Sequence, residues 1–252
     1  MMRIFVAATC ALAAVLVVAQ AAAAQGTVCT GVLTGVVAGD VVVPAGSSCT
    51  LEDAAISGSV TVESEAQLSG YAAIGGSIEL DTGALLYVSD STIGHDVVCR
   101  GCRLLKMLFM YGIGGDISVT AMTNGYLNWD GVPVAGSVKV TGNSGDFTVI
   151  DSLAEGNFIF AENVGPAGFW YSGAQGGNLE IVRNSGEFHL ESTYSRNLIF
   201  SDNVGPSELT FNYAAKHLQC FRNEPAPTGY YNEAGKTVEG QCAALGPDAY
   251  PD

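Results

Sequence analysis

Basic residues are scarce in this sequence, which has 10 Lys and Arg against 25 Asp and Glu. If the first 24 residues, which include Arg3, are removed as argued below, the balance becomes 9 − 25 = −16. A negative charge of this size argues against nucleic acids and anionic membranes as partners, because both are polyanions. It favours solubility and is compatible with contacts to cations or cationic polymers.

Several other patterns are missing after residue 24. No later stretch is long and apolar enough to cross a bilayer, so we expect no membrane insertion. No segment shows the 3.6-residue period of an amphipathic helix, which argues against a helical domain. No Asn-x-Ser/Thr triplet occurs, so N-linked glycosylation is not expected.

The start of the chain has the layout of a secretory signal peptide. Arg3 is followed by an apolar run from Ile4 to Val18, and the segment ends in Ala22-Ala23-Ala24. A positive start, a short apolar run and small residues before the cut are typical of such leaders. We therefore predict a signal peptide over residues 1–24 and a secreted, extracellular protein over residues 25–252. A retained membrane anchor fits less well, because the apolar run is short and ends in alanines.

Six cysteines remain after the leader, and an even number in an exported chain favours disulfides. The predicted pairs are Cys29–Cys49, Cys99–Cys102 and Cys220–Cys242. The first and third pairs each span about one repeat and lie near the two ends. The connectivity of the middle pair stays open, because a Cys-x-x-Cys motif can also bind zinc or carry out redox chemistry. We favour a local structural bridge, since a second metal-type pair is missing from the sequence.

A repeat of about 20 residues runs through the chain. Its unit is a small or polar pair followed by apolar-any-apolar, and in the second half the units start 21, 20, 21, 19 and 20 residues apart. The units begin at Gly39, Gly58, Gly76, His95, Gly115, Gly136, Gly156, Gly177, Arg196 and Lys216, with a degraded one at Gly235. The apolar-any-apolar triplet has the two-residue period of a strand, so two residues per triplet should face inward.

These repeats predict an all-β fold, a single-domain parallel β-helix of ten to eleven coils over residues 25–252. Three short strands and their turns fit one coil of about 20 residues, so we favour a three-sided, right-handed helix. The disulfide-bridged ends should act as caps that block end-to-end stacking, which predicts a monomer.

A row of asparagines follows the first strand of the later coils. Its members are Asn143, Asn163, Asn184, Asn203 and Asn223. Asparagine tolerates the positive φ of a tight corner, and stacked asparagines can hydrogen-bond along the axis. The row could be a ligand site, but a structural ladder is favoured because it coincides with the corner. The residues before the last four asparagines are Glu162, Arg183, Asp202 and Arg222, so opposite charges should alternate along the stack.

Both ends of the repeat region resemble one protein family. Residues 217–229, His-Leu-Gln-Cys-Phe-Arg-Asn-Glu-Pro-Ala-Pro-Thr-Gly, and residues 238–242, Val-Glu-Gly-Gln-Cys, are similar to the close of small secreted repeat proteins abundant in actinobacteria. Residues 39–51 resemble the opening of the same family. The resemblance covers nearly all of the mature chain and implies a secreted β-solenoid with no assigned activity. The middle coils depart from that family's plainer Gly/Thr repeats, because they are rich in aromatic residues.

These departures mark the candidate contact surface. The run from Leu104 to Met110 is apolar with an interleaved lysine, and one strand can bury only alternate residues. Part of it should therefore be exposed as a contact patch, or the core should be thicker there; both interpretations stay open. The candidate binding residues are Leu108, Phe109, Trp170 and Tyr171. We expect Trp170 to point outward between an inward Phe169 and an inward Tyr171, and Trp129 to point inward.

We predict a non-catalytic structural or binding protein that presents a surface to an unknown extracellular protein or polysaccharide. We expect no catalytic residue, cofactor or metal. A polysaccharide-active enzyme is the main alternative, because many such enzymes are parallel β-helices that gather carboxylates on one face. The candidate carboxylates are Asp146, Asp151, Glu155, Glu187 and Glu191. Asp146 and Glu187 should lie two coils apart, at roughly 10 Å, and solvated side chains explain these carboxylates better. The three histidines also fall in different columns of the repeat, without a Ser or Cys partner. A secreted effector or elicitor acting on another organism is a further alternative.

Overall fold

Most coils begin with a short strand, such as Val41–Val43 or Val60–Val62. In these strands the first and third residues are buried and the central residue is half-buried. The computed structural model describes residues 26–246, and the predicted signal peptide lies outside this range. Its 28 strands pair in parallel as one continuous sheet, which winds through about ten coils of roughly 20 residues each. The prediction of a parallel β-helix is therefore confirmed.

Most coils carry three strands, which we assign to three faces. The first face contains Thr27–Val28, Val41–Val43, Val60–Val62, Ile78–Leu80, Val97–Arg100, Ile117–Thr120, Val138–Thr141, Phe158–Ala161 and Thr237–Gly240. The second face contains Leu85–Ser89, Leu104–Leu108, Gly125–Asp130, Gly145–Ile150, Ala167–Trp170, Phe188–Glu191, Ser207–Thr210 and Thr228–Tyr230. The third face contains Thr92–Ile93, Gly112–Ile113, Pro133–Val134, Leu153–Ala154 and Glu233–Ala234.

Six longer strands pass around a corner from one face to the next. Val32–Val37, Ser48–Ile56 and Gln67–Ile74 run from the second face to the third. Gly173–Val182, Tyr194–Ser201 and Tyr213–Phe221 run from the third face to the first face of the next coil. A single 3-10 turn, Gln241–Ala244, follows the last strand of the described residues.

The core consists of apolar stacks made by the register between coils. Ile117 pairs with Val138, and Val138 pairs with Phe158. Every residue predicted to point inward from the first-face triplets is at most 1% exposed. The middle coils have an aromatic core, in which Phe158 meets Phe169 edge-on at 5.6 Å between ring centroids. Trp129 packs 6.2 Å from Phe158 and is 1% exposed, so its predicted inward orientation is confirmed.

The three disulfides are the predicted ones. Cys29–Cys49, Cys99–Cys102 and Cys220–Cys242 have Cα–Cα distances of 5.5, 5.5 and 5.1 Å. The first pair joins the two earliest coils, and the third joins the last long strand to the 3-10 turn. The middle pair crosses the corner between two strands of one coil. Disulfides of this kind are typical of proteins that work in an oxidising, extracellular setting.

The corner between the first and second faces differs from the prediction in one respect. Positive φ values fall on the charged residue before each of the last four asparagines, at 59° for Glu162, 56° for Arg183, 58° for Asp202 and 54° for Arg222. The expectation that the asparagine itself takes this conformation is wrong. Its side chain must reach inward, so the chain turns one residue earlier and the charged side chain points out.

The charged residues at this corner form two ion pairs. Nη2 of Arg183 lies 2.9 Å from Oε1 of Glu162, and Nη2 of Arg222 donates to Oδ2 of Asp202 at 2.8 Å. The hydrogen bond and the charge of Arg222 lower the pKa of Asp202, and Arg183 adds to this lowering. Both pairs are exposed to solvent, so they fix the alignment of neighbouring coils more than they stabilise the fold.

The asparagine row is a hydrogen-bonded ladder. Every member is at most 6% exposed. Oδ1 of Asn184 accepts from the backbone N–H of Asn163 at 2.9 Å and from its Nδ2 at 3.1 Å. Nδ2 of Asn184 donates to the backbone carbonyl of Phe160 at 2.9 Å and to Oδ1 of Asn203 at 3.0 Å. These amides use their hydrogen bonds within the fold, which supports a structural role over a ligand site.

A second polar row, which we did not predict, lines the next corner. Its buried members are Ser152, Ser172, Thr193, Asn212 and Asn232. Oγ1 of Thr193 donates to Oδ1 of Asn212 at 2.7 Å, and Nδ2 of Asn212 donates to Oδ1 of Asn232 at 2.8 Å. The residues before them, Asp151, Tyr171, Ser192, Phe211 and Tyr231, have φ values of 45–56°. This corner therefore turns its preceding side chains outward, including several aromatic ones.

Candidate functional site

A cleft surrounds Trp170 on the outward surface of the second face. Its volume is about 200 Å³, and its walls come from the region of three successive strands, Gly145–Ile150, Ala167–Trp170 and Phe188–Glu191. The lining side chains that alternate with the buried core positions are Asp146, Thr148, Pro166, Trp170, Glu187 and His189. Because the strands are parallel and in register, side chains two coils apart flank the same central strand.

Trp170 owes its orientation to a glycine two residues earlier. Gly168 pairs with Thr148 on one side and with His189 on the other. A Cβ atom at Gly168 would overlap Cη2 and Cζ3 of Trp170. The indole therefore leans back along its strand over the space that a side chain would fill. It is half-buried and forms an aromatic platform in the cleft.

A histidine held by two glutamates stands beside this platform. The ring centroids of His189 and Trp170 are 5.5 Å apart, with an angle of 33° between the planes. Nε2 of His189 lies 3.2 Å from Oε2 of Glu191, and Nδ1 lies 3.3 Å from Oε2 of Glu208. The contact with Glu191 is a hydrogen bond, whereas Nδ1 and Glu208 lie at ion-pair distance. The two glutamates fix the plane of the imidazole next to the indole.

An adjoining cleft of about 220 Å³ extends this site toward the C-terminus. Glu187 and His189 line both clefts, and Glu208 lines the second one. We call the two clefts together the Trp170 groove. Its lining includes the carboxylates of Asp146, Glu187 and Glu208 but neither lysine nor arginine. The groove is therefore an aromatic surface with a negative border.

The other predicted binding residues lie outside the groove. Phe169 is fully buried, as expected, but Tyr171 is 58% exposed. The expectation that Tyr171 points inward is wrong, because it is the corner residue with φ of 52° and its side chain turns away from the core. It lies next to the groove but does not line it.

The apolar run before residue 110 contributes to both core and surface. Leu105 and Met107 are fully buried, whereas Leu108 is half-buried and Phe109 is 59% exposed. Leu108 shares its outward column with Trp170, three coils further on. The run therefore thickens the core and also exposes an apolar edge, about 15 Å along the axis from Trp170.

The carboxylates considered for catalysis do not form one site. Asp146 and Glu187 line the groove, and Glu191 is bound to His189. Asp151 occupies the second corner, with φ of 45°, and Glu155 lines a separate cleft on the third face. Only the first two are placed to contact a ligand beside Trp170.

The sequence interpretation missed several groove residues. His189 was left without a partner, but the register places it between Gly168 and Glu208. The available signal was a glycine at an outward strand position two residues before a tryptophan. Aligning the second strands of successive coils would have shown Thr148, Gly168, His189 and Glu208 in one column.

Comparisons with known proteins found no matching family model, no similar curated protein and no similar solved structure. Over residues 26–246, the structure has no helix of the length and apolarity needed to span a bilayer. In the same range, no three His, Cys, Asp or Glu side chains are grouped so that they could hold a metal ion. The geometry of the Trp170 groove therefore carries the functional argument.

Proposed function

We propose that this protein is an exported, non-catalytic solenoid that binds a glycan in the Trp170 groove. The observation that carries the proposal is the half-buried indole lying over Gly168, with hydroxyl and carboxylate side chains on either side. A sugar ring has an apolar face that packs on an aromatic ring, and hydroxyl groups that donate to carboxylates. The three disulfides support an extracellular location.

The length of the groove favours a chain of sugars over a single one. Its carboxylates begin at Asp146 and end at Glu208, three coils later. With a coil spacing of about 4.8 Å, this distance is roughly 15 Å along the axis. An oligosaccharide lying along the axis would contact Trp170 with one ring and the flanking carboxylates with its neighbours.

A polysaccharide-active enzyme is the second candidate, because Asp146 and Glu187 line the Trp170 cleft from the coils on either side of the strand Ala167–Trp170. They lie two coils apart, which places their backbones at roughly 10 Å. Carboxyl groups of glycosidases are separated by about 5–9.5 Å, and these two side chains project from backbones slightly further apart than that. Binding without turnover is the better account of the groove.

A glycan array with the wild-type protein and two variants tests the proposal. Trp170→Ala removes the platform, and we expect it to cost about 2 kcal/mol of binding free energy, as for a central aromatic contact. This loss corresponds to a roughly 30-fold lower affinity. Tyr171→Ala is the matched control, because it removes a neighbouring exposed ring outside the groove and should leave binding unchanged.

Three results would contradict this proposal. Failure to bind any glycan would remove the proposed function altogether. Equal binding by the wild type and Trp170→Ala would place the site elsewhere on the solenoid. Release of reducing sugar from a bound glycan, lost in Glu187→Ala, would show catalysis and favour the enzyme. Thermal melts of each variant should accompany these assays, so that unfolding is not mistaken for lost binding.

A further inference from the structure

We infer that the glycan bound in the Trp170 groove carries free amino groups, as a polymer of glucosamine units does. This inference rests on the proposed function and adds the charge class of the ligand. It follows from the carboxylates around the aromatic platform, from the partners of His189 and from the spacing of the coils.

Two carboxylates that line the cleft lack a cationic partner in the described part of the chain. Asp146 and Glu187 line the cleft, and neither takes part in the ion pairs found within residues 26–246. An acidic sugar would meet like charge there. A neutral sugar would form ordinary hydrogen bonds, whereas an ammonium group would form charge-assisted ones that are about twice as strong.

The one basic side chain in the groove does not offset these charges. His189 already contacts Glu191 and Glu208, at 3.2 and 3.3 Å. Its two ring nitrogens are therefore engaged away from Asp146 and Glu187. The indole of Trp170 also attracts cations, because the face of its ring carries negative potential. The indole of Trp170 and the carboxylates of Asp146 and Glu187 thus favour the same positively charged ligand.

The spacing of the coils suits amines on alternate sugar units. Asp146 and Glu187 are two coils apart, or roughly 10 Å, which is close to the length of a disaccharide in an extended chain. Successive units of a β-1,4-linked chain are turned over relative to each other, so the amines of every second unit point to the same side. One such amine could reach Asp146 while the next on that side reaches Glu187, across the strand that carries Trp170.

Calorimetric titration of the full protein with three hexamers tests this inference. The ligands are a glucosamine hexamer, its N-acetylated form and a glucose hexamer. We expect the glucosamine hexamer to bind about tenfold more tightly than the other two, as one charge-assisted contact would provide. Glu187→Gln should reduce this preference, and Asp146→Asn combined with Glu187→Gln should remove it, while both variants retain the weaker binding of the neutral hexamers.

Glu52→Gln is the matched control, because it removes the same charge from the exposed surface of the strand Ser48–Ile56, far along the solenoid. It should keep the tenfold preference. An equal loss in Glu52→Gln and Glu187→Gln would show non-specific attraction of a cation to an acidic protein and would overturn the inference. Equal affinity of the three hexamers would overturn it and leave the proposed function intact. Absence of glycan binding by any ligand would overturn both.

Discussion

Removing one amide from the middle of the asparagine ladder should strongly lower the free energy of unfolding of the protein. Asn184 is the best position, since it has a ladder asparagine on both sides. Its side chain takes part in four hydrogen bonds, two as acceptor and two as donor. Asn184→Ala removes all four and leaves buried polar groups on Asn163, Phe160 and Asn203 with fewer partners.

The expected loss follows from this count. A buried hydrogen bond contributes about 1 kcal/mol net, so four bonds correspond to about 4 kcal/mol of unfolding free energy. For a chain of this size, 1 kcal/mol shifts Tm by about 2–4 °C, which gives a fall of about 10 °C. Asn157→Ala is the control, because the exposed Asn157 side chain only accepts from the backbone N–H of Asn178 at 2.9 Å. It should cost about 1 kcal/mol or less.

The stability of the wild type and of both variants is measured by urea and thermal unfolding, followed by circular dichroism. The m-value should stay the same, so that a shift in midpoint reports stability. If Asn184→Ala loses no more than Asn157→Ala, the ladder does not stabilise the fold and the reasoning from hydrogen-bond count is wrong.

Two further perturbations test the groove and the first corner. Gly168→Ala should push the indole of Trp170 off the sheet, change tryptophan fluorescence and weaken glycan binding about as much as Trp170→Ala. Combining the two changes should add no further loss, and an additive result would show that Gly168 acts independently. The pKa of Asp202 is lowered by Arg222, so the ion pair stabilises the folded state above the usual pKa of Asp and this stabilisation is lost as pH falls through the lowered value. The free energies of unfolding of the wild type and Asp202→Asn should therefore differ at neutral pH and converge as pH falls from about 4 through the lowered pKa of Asp202. A constant difference across pH would contradict this role.

Much of the fold could be predicted because the first face repeats a simple pattern. Apolar residues alternate with outward ones in each triplet, so Ile117, Val138 and Phe158 could be assigned to the core without knowing their neighbours. The asparagine ladder was predictable for a related reason, since one residue type recurs once per coil. Both signals depend only on spacing along the chain.

The second corner and the groove could not be predicted in this way. The buried row of the second corner contains Ser172, Thr193 and Asn212. These side chains all form hydrogen bonds but are of different residue types, so no single residue recurs once per coil. Tyr171 was misassigned because strict alternation was carried one residue past the end of its strand. The contact between His189 and Glu208 depends on the alignment of two strands in different coils, and coil lengths vary by one or two residues. Local spacing therefore does not fix such pairs.

The asparagine ladder also bears on how such a chain can change its length. Each amide donates to the coil that follows and accepts from the coil before it. An inserted coil with an asparagine at this position would therefore form the same hydrogen bonds with the coils on both sides. The two end members have other neighbours: Oδ1 of Asn143 accepts from the backbone N–H of Met122 at 2.9 Å, and Asn223 donates to Oε1 of Gln241 at 3.0 Å. The ion pairs at this corner join coils two by two. A pair of coils is therefore the unit that keeps these ion pairs intact, and tandem copying of about 40 residues, two coils of the repeat, would lengthen the second face without leaving a ladder amide unpaired.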